Sequence, residues 1–293
     1  MRTLLTGANG QLASDLLKLL PSQDTIALAH GDLDVCDDAA VRKALERYRP
    51  DVVINTSAFH KVDLCEDEVA RPFEVNALAV RHLALLAREM GFALVHFSTD
   101  YVFSGDKRRP YHEDDAPGPL SVYGVSKLAG EYFVRTLCPH YFLVRTSGLY
   151  GVAGSSGKGG NFVETMLRLA QQGSPIRVVN DQALSPTYTH DLAGKVIELV
   201  ETGRYGLYHV TNSDSCSWYT FTRTIFSFAH LKAEVQPITS EQFGAKARRP
   251  AYSVLANRNM KRLGLSPLRP WRQALQDYIQ AKHPELCNAP APS

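Results

Sequence analysis

The first twenty residues leave this chain few folds to adopt. Arg2-Thr3-Leu4-Leu5-Thr6 is a short strand-like run, followed at once by Gly7-Ala8-Asn9-Gly10-Gln11-Leu12-Ala13. A helical pattern opens there, with Leu12, Leu16, Leu17 and Leu20 on one side. Strand, glycine turn and helix in that order form the dinucleotide-binding arrangement. Glycines permit a tight turn and close backbone approach, and the helix N-terminus faces a pyrophosphate. Ala13 stands where a third glycine is usual, a replacement the pattern tolerates. An isolated glycine pair serves packing as readily as phosphate binding, but here the strand and helix that the motif requires lie on either side.

The pattern then repeats. Thr25–Ala29, Asp51–Asn55, Phe92–Phe97 and Tyr141–Arg145 read as strands. Between them a helix is expected from Asp37 to Tyr48, capped by Asp37 or Asp38, and a long one from Pro72 to Glu89. Strands alternating with helices predict an α/β, Rossmann-type, doubly wound parallel sheet whose ligands lie beyond the strands' carboxyl ends. Gly7 to Gly10, Thr56 to Ala58, Ser98 to Asp100 and Thr146 to Gly148 all fall at such ends. The second half is less regular. Gly151 to Gly160 is a flexible glycine-rich loop that lacks the Walker spacing, with Val152 at the first glycine position and Gly159 at the serine/threonine position. Asn161 is expected to cap a helix from Phe162 to Gln172, and further helices are expected at Asp191–Glu201, Trp218–Phe228 and Trp271–Ala281, with strands at Arg177–Asn180 and Gly206–Val210. The expected division is a dinucleotide-binding domain over 1–150, a smaller C-terminal substrate-binding lobe over 151–287 interleaved with it, and a disordered tail over 288–293.

Composition excludes several classes. A net charge of +2 gives no basis for nucleic-acid binding, and Lys107-Arg108-Arg109 reads as loop charge. No apolar run reaches about 18 residues, and the chain starts on a strand where a signal peptide would carry an apolar core. The five cysteines are odd in number and widely spaced, as suits reduced thiols in a cytoplasm. His60, Asp63, Cys65, Glu66 and Glu68 are metal-ligand types, but their place after a strand reads as a charged helix start, so no metal is expected. Glu113, Asp114 and Asp115 read as solvated surface.

The chemistry is concentrated between Val95 and Gly130. An apolar strand ends in Ser98-Thr99-Asp100, and Tyr123-Gly-Val-Ser-Lys127 heads a helical pattern. Residues four apart share a helix face, so an ammonium stands near a phenol. A phenol titrates near ~10 when unperturbed, and a neighbouring cation lowers that value. Such a pair is an acid/base candidate, though on its own many helices carry it as a solvated face. The end of the second strand bears on the cofactor. Ala29-His30-Gly31 puts no carboxylate where one would bind an adenosine 2′-hydroxyl, which favours NADPH while allowing NADH.

Taken together, Gly7-x-x-Gly10-Gln11, Ser98-Thr99-Asp100-Tyr101-Val102-Phe103, Val122-Tyr123-Gly124-x-x-Lys127-x-x-Gly130-Glu131 and Arg145-Thr146-Ser147 resemble an extended short-chain dehydrogenase/reductase. With Asn161-Phe162, Asn180-Asp181-Gln182 and Pro186-Thr187, over about two-thirds of the chain, they resemble the dTDP-4-dehydrorhamnose reductase family in particular. The resemblance implies an NADPH-dependent oxidoreductase that reduces the C4 ketone of a nucleotide-linked 6-deoxy-4-keto sugar, dTDP-4-dehydro-L-rhamnose giving dTDP-L-rhamnose. It implies catalytic roles for Thr99, Tyr123 and Lys127. For the cofactor it implies Gly7, Asn9, Gly10, Gln11, Leu12, His30, Asp34, Val35, Ala58, Phe59, His60 and Phe97, with Tyr123 and Lys127. For the sugar nucleotide it implies Thr99, Asp100, Phe103, Gly148, Asn161 and Gln182, with Asp181 beside the last. Arg249, with Arg248, is a candidate for the substrate pyrophosphate through its guanidinium fork. The implied setting is cytoplasmic, with a nucleotide-sugar partner, neither nucleic acid nor membrane, and a homodimer compatible with the pattern.

One departure bears on substrate. Where the resembled family has tryptophan after Arg-Thr-Ser, this chain has Gly148, leaving the hexose pocket wider or closed by Leu149 or Phe103. Metal-binding members of the family use acidic residues at an interface, which Asp15 matches but His190 does not. Two other classes stay open at this level: a sugar-nucleotide epimerase or dehydratase, and a non-catalytic NADP-binding regulatory homologue. Dehydratases of this fold need an acidic pair after the threonine, and Asp100-Tyr101 supplies one carboxylate.

Overall fold

The computed structural model describes residues 1–153 and 160–287. Most of the loop between Gly151 and Gly160, and the tail from Asn288, lie outside the described residues. The first half builds β1 (Thr3–Thr6), α1 (Gln11–Leu19), β2 (Thr25–Leu28), α2 (Asp38–Tyr48) and β3 (Val52–Asn55), then the short helices α3 (Val62–Cys65) and α4 (Ala70–Phe73). α5 (Ala79–Met90), β4 (Ala93–Thr99), α6 (Val122–Leu137) and β5 (Tyr141–Thr146) complete it. The second half comprises β6 (Leu149–Tyr150), α7 (Phe162–Ala170), β7 (Ile176–Val179), β8 (Ala183–Leu184), β9 (Thr187–Tyr188), α8 (Thr189–Glu201), β10 (Gly206–His209) and β11 (Cys216–Ser217). It ends with α9 (Trp218–Phe228), β12 (Val235–Ile238), α10 (Ser240–Phe243), α11 (Arg258–Arg262), α12 (Trp271–Lys282) and α13 (Pro284–Cys287).

The central sheet is parallel in the order β10-β5-β4-β3-β1-β2. Strand order reverses between β1 and β3, so a crevice opens beyond their carboxyl ends, where this type of sheet binds ligands. The glycine turn after β1 and Thr56 to Ala58 after β3 form that crevice. β10, from the second half, is the sixth strand, and Leu192, Val196 and Leu199 of α8 share a core with Leu12 and Leu16 of α1. A second core, around Tyr150, Phe221, Trp271 and Tyr278, holds α7, α9 and α12 together.

Local sequence explains most boundaries. Asp37 caps α2, Asn161 caps α7 and Ser217 caps α9, each side chain accepting a backbone N–H of the first turn. The expected helix from Pro72 to Glu89 differs in one respect. α4 and α5 are joined through a π-helical turn, Glu74–Leu78, which apolar periodicity does not reveal. That turn directs Asn76 inward, where its amide bonds both backbone groups of Phe59 and the Ser126 hydroxyl. The loop after β3 is thereby tied to α6.

α6 is fixed more tightly from below. Glu131, fully buried, receives Nε and Nη2 of Arg145 at 2.8 and 2.6 Å and the Ser98 hydroxyl at 2.5 Å. Helix, β4 and β5 therefore share one buried ion pair. Arg145 also faces Phe103 and reaches His209 on β10. At the head of α6, Ser121 caps the helix and Gly124 lies against Tyr101, where a Cβ would stand 2.4 Å from the Tyr101 carbonyl oxygen. Only glycine lets the helix start this close to the end of β4.

Removing one member of a buried pair leaves the other charge uncompensated, at a cost of about 3–5 kcal/mol. Arg145→Met is expected to lower unfolding free energy by that order in urea denaturation. Replacing both residues by apolar ones should lose less than the single variant does.

Candidate active site

One cleft of about 970 Å³ runs along the carboxyl ends of β1, β2, β3, β4 and β5. Every cofactor residue expected from the sequence lines it: Gly7, Asn9, Gly10, Gln11, Leu12, His30, Asp34, Val35, Ala58, Phe59, His60, Phe97, Tyr123 and Lys127. Thr99, Asp100, Gly148, Asn161 and Gln182 line it as well. At one end the glycine turn and the start of α1 offer backbone N–H groups. At the other, Thr99 and Tyr123 face each other from β4 and α6.

The acid/base end is governed by burial. Lys127 is 2% exposed, and burial pushes its ammonium down to about 8, with the Glu131 carboxylate opposing that shift. Among the described residues Lys127 Nζ has no protein acceptor, so its donors are available to a ligand in the cleft. His96, buried beneath, has its ring held well below the usual imidazole value by burial and then by Lys127, and Asn55 meets its Nδ1 at 3.3 Å. Burial raises the Tyr123 phenol well above ~10, while a hydrogen bond with Thr99 acts in the opposite sense. The expectation that Lys127 acidifies Tyr123 is therefore corrected. Loss of solvent costs the phenolate more than the Thr99 hydrogen bond returns, and Tyr123 stands neutral with its proton on.

Asp100 organises this corner. It is 3% exposed and accepts the Thr99 hydroxyl at 3.1 Å on one oxygen, with Ser147 at 2.9 Å and Ser253 at 2.5 Å on the other. Burial pushes its carboxyl up to about 6, against the pull of these three hydroxyls. Three loops, after β4, after β5 and before α11, thus meet on one carboxylate. Tyr101 packs edge-on to Tyr123 with ring centres 5.9 Å apart.

Some expected contacts fall elsewhere. Phe103 does not close the sugar pocket. It is fully buried, stacked on Tyr111 at 4.1 Å, because β4 ends before it and the chain turns it into the core. Arg249 does not line the cleft: its guanidinium is taken by Asp63, at 2.7 and 3.2 Å, and by the Ala247 carbonyl. Asp181 accepts the backbone N–H and hydroxyl of Ser240 and does not line the cleft either. Asn161 lines it, with its amide given to Gln11, Gly151 and Tyr278. Of the residues proposed to close the space beside Gly148, Leu149 lines the cleft, and the wall against Gly148 itself is Leu184. Gly148 has φ +57°, and a Cβ there would meet Leu184 Cδ1 at 2.7 Å, so a larger residue would be strained in this backbone and would require Leu184 to shift.

Sequence reasoning missed Arg71, Phe162, Trp218 and Ser253, all on the cleft wall. Trp218 and Phe162 lie 4.4 Å apart between ring centres. Both head helices that read as core-forming, so local pattern carried no sign of the cleft. Among the described residues there is no group of three or more side chains able to hold a metal.

A cleft beyond the strands' carboxyl ends, with a neutral phenol, a buried ammonium and a hydroxyl converging in it, matches the arrangement expected of a short-chain dehydrogenase/reductase. The family model for the RmlD substrate binding domain matches residues 1–283. The spore coat polysaccharide biosynthesis protein SpsK of Bacillus subtilis is 42% identical, over 96% of this chain and 98% of its own. A dTDP-4-dehydrorhamnose reductase of Streptomyces griseus is 41% identical, over 98% of this chain and 94% of its own. The crystal structure of dTDP-4-dehydrorhamnose reductase from Bacillus anthracis in complex with NADP superposes with a TM-score of 0.91 at 39% identity, covering 96% of this chain and 99% of that one. The chain belongs to the dTDP-4-dehydrorhamnose reductase family, and it is an NAD(P)H-dependent oxidoreductase.

Asp100 is more protonated in the folded than in the unfolded chain between about pH 4 and 6, because its pKa is raised on folding. Its contribution to stability is therefore present below pH 4 and declines as pH rises through that window. Asp100→Asn is expected to flatten this decline. Urea unfolding at pH 4 and pH 6.5, for both proteins, measures it.

Proposed function

We propose that this protein reduces the C4 ketone of a dTDP-linked 6-deoxy-4-keto sugar with NADPH, with dTDP-4-dehydro-L-rhamnose as substrate and dTDP-L-rhamnose as product. The observation that carries this reading is the meeting of Thr99, Tyr123 and Lys127 in the cleft of about 970 Å³ that the glycine turn also lines. The relatives' own activities point the same way. NADPH, when bound, supplies the hydride to the ketone carbon. The glycine turn and α1 N-terminus hold the pyrophosphate, and Asp34 and Val35 hold the adenine. Lys127, with unclaimed donors, holds the nicotinamide ribose. Tyr123 gives its proton to the keto oxygen, and Thr99 orients that phenol. A group that keeps its proton at neutral pH is the right state for this step, since reduction ends in an alcohol.

Arg249 serves here as a positioning residue: paired with Asp63, it borders Tyr101, which packs on Tyr123. Gly148 and Leu184 shape the sugar wall, so the sugar's identity and product stereochemistry are set there. The same reading carries a cytoplasmic enzyme with a nucleotide-sugar partner, in keeping with five widely spaced cysteines and no helix, among the described residues, long and apolar enough to cross a membrane.

Oxidation of NADPH in the presence of dTDP-4-dehydro-6-deoxy-L-mannose, followed by nicotinamide absorbance, tests the reading. Tyr123→Phe is expected to lose ~10²–10⁴-fold in kcat while still binding NADPH. No oxidation by the native protein, with NADPH bound, would sink it. The pH profile is a separate check. Lys127 carries its charge below about 8, so kcat/KM is expected to fall as pH rises through that value.

A further inference from the structure

The adenosine end of the cleft contains a cation that the reading above leaves without a task. β2 stops at Leu28, and the two carboxylates that follow, Asp32 and Asp34, each accept a backbone N–H. Asp32 accepts the Ala29 N–H at 2.9 Å. Asp34 accepts the Cys36 N–H, also at 2.9 Å, and this bond, with the His30 and Arg71 charges, holds its carboxyl below the usual range. His30 and Arg71 are thus close enough to Asp34 for each to act on it.

Arg71 comes from α4, which follows β3, and it lines the cleft. Its Nη1 donates to Glu74 at 3.1 Å, an exposed pairing of the kind worth ~0.2–1 kcal/mol and readily exchanged. Among the described residues no acceptor takes the remaining guanidinium N–H groups of Arg71, which lines the cleft. Among the described lining residues Lys127 is the other lysine or arginine, and it acts at the Tyr123 end, beyond β3 and β1 in the strand order. A dinucleotide carrying an extra phosphate on its adenosine ribose needs a cation at this end. A guanidinium suits it, being planar, always charged and able to give paired hydrogen bonds.

We propose that Arg71, assisted by His30, forms the pocket for the adenosine 2′-phosphate and so sets the preference for NADPH over NADH. The proposal rests on the cleft being a dinucleotide site. Asp34 remains the partner of the adenine, and Glu74 is the anion that Arg71 exchanges for the phosphate.

The test is calorimetric and needs no turnover. 2′,5′-ADP carries the phosphate in question, and 5′-ADP lacks it. Arg71→Gln is expected to weaken 2′,5′-ADP binding at least ~10-fold, as loss of a charged hydrogen bond does, and to leave 5′-ADP within about twofold. Retained 5′-ADP binding also shows that the variant is folded. Arg71→Lys should recover part of the loss, and His30→Ala should show a smaller loss with the same selectivity. Equal weakening of both ligands, or unchanged 2′,5′-ADP binding, would overturn the assignment to Arg71. A non-selective His30→Ala would overturn the part given to His30. If the native protein binds neither ligand, the dinucleotide reading fails with it, whereas binding of both without ketone reduction leaves the pocket standing and rejects the proposed activity.

Discussion

The buried pair of Glu131 and Arg145 is the contact on which the rest of the site depends. Both side chains are almost wholly removed from water, and each would be prohibitively costly to bury alone. Joined through two short hydrogen bonds and completed by Ser98, they lock α6 onto β4 and β5. The helix face that carries Glu131 also carries Lys127, one turn earlier, and Tyr123 one turn before that. The ion pair therefore fixes the position of an ammonium and a phenol relative to Thr99 at the end of β4. A fold that tolerates such a pair commits to one register between helix and sheet.

The same desolvation sets the chemistry. Sequence spacing predicts that Lys127 acidifies Tyr123, and the spacing itself holds, since both line one wall. What differs is the dielectric setting. Burial raises the phenol and lowers the ammonium together, so the protein presents a proton donor and a cation close to neutralisation. A bound ligand that brings hydroxyls and phosphates to Lys127 would replace the water that folding removed. Asp100 is a second case of the same physics. Three hydroxyls hold it, yet burial raises it to about 6, which makes its corner sensitive to mildly acidic pH.

Legibility followed the range of the interaction. The strand–turn–helix of the first twenty residues, the Asp37, Asn161 and Ser217 caps and the Tyr123, Lys127 pair all depend on neighbours a few positions away, and the sequence displays them. The π turn at Glu74–Leu78 was invisible because one inserted residue barely perturbs an apolar period. Phe103 was misplaced because its motif neighbours face the cleft, while the turn after β4 rotates it into the core. Arg249 read as a phosphate ligand because its partner Asp63 lies 186 positions away. Arg71, Trp218 and Ser253 escaped notice for the same reason: only the crossing of distant loops brings them to the cleft.

By itself, the sequence determined the doubly wound class, the glycine turn after β1, the Tyr123 and Lys127 spacing and the resemblance to a family. Each is written in short-range periodicity, glycine placement or capping, which act before the chain is compact. Tertiary structure alone decided which residues are deprived of water and which charges meet. It made Tyr123 a retained acid, took Arg249 for Asp63, set Leu184 against Gly148 and brought Arg71 beside Asp34. Those outcomes depend on desolvation and on contacts between residues well separated along the chain, up to 186 positions for Arg249 and Asp63, and neither is encoded in any local stretch of residues.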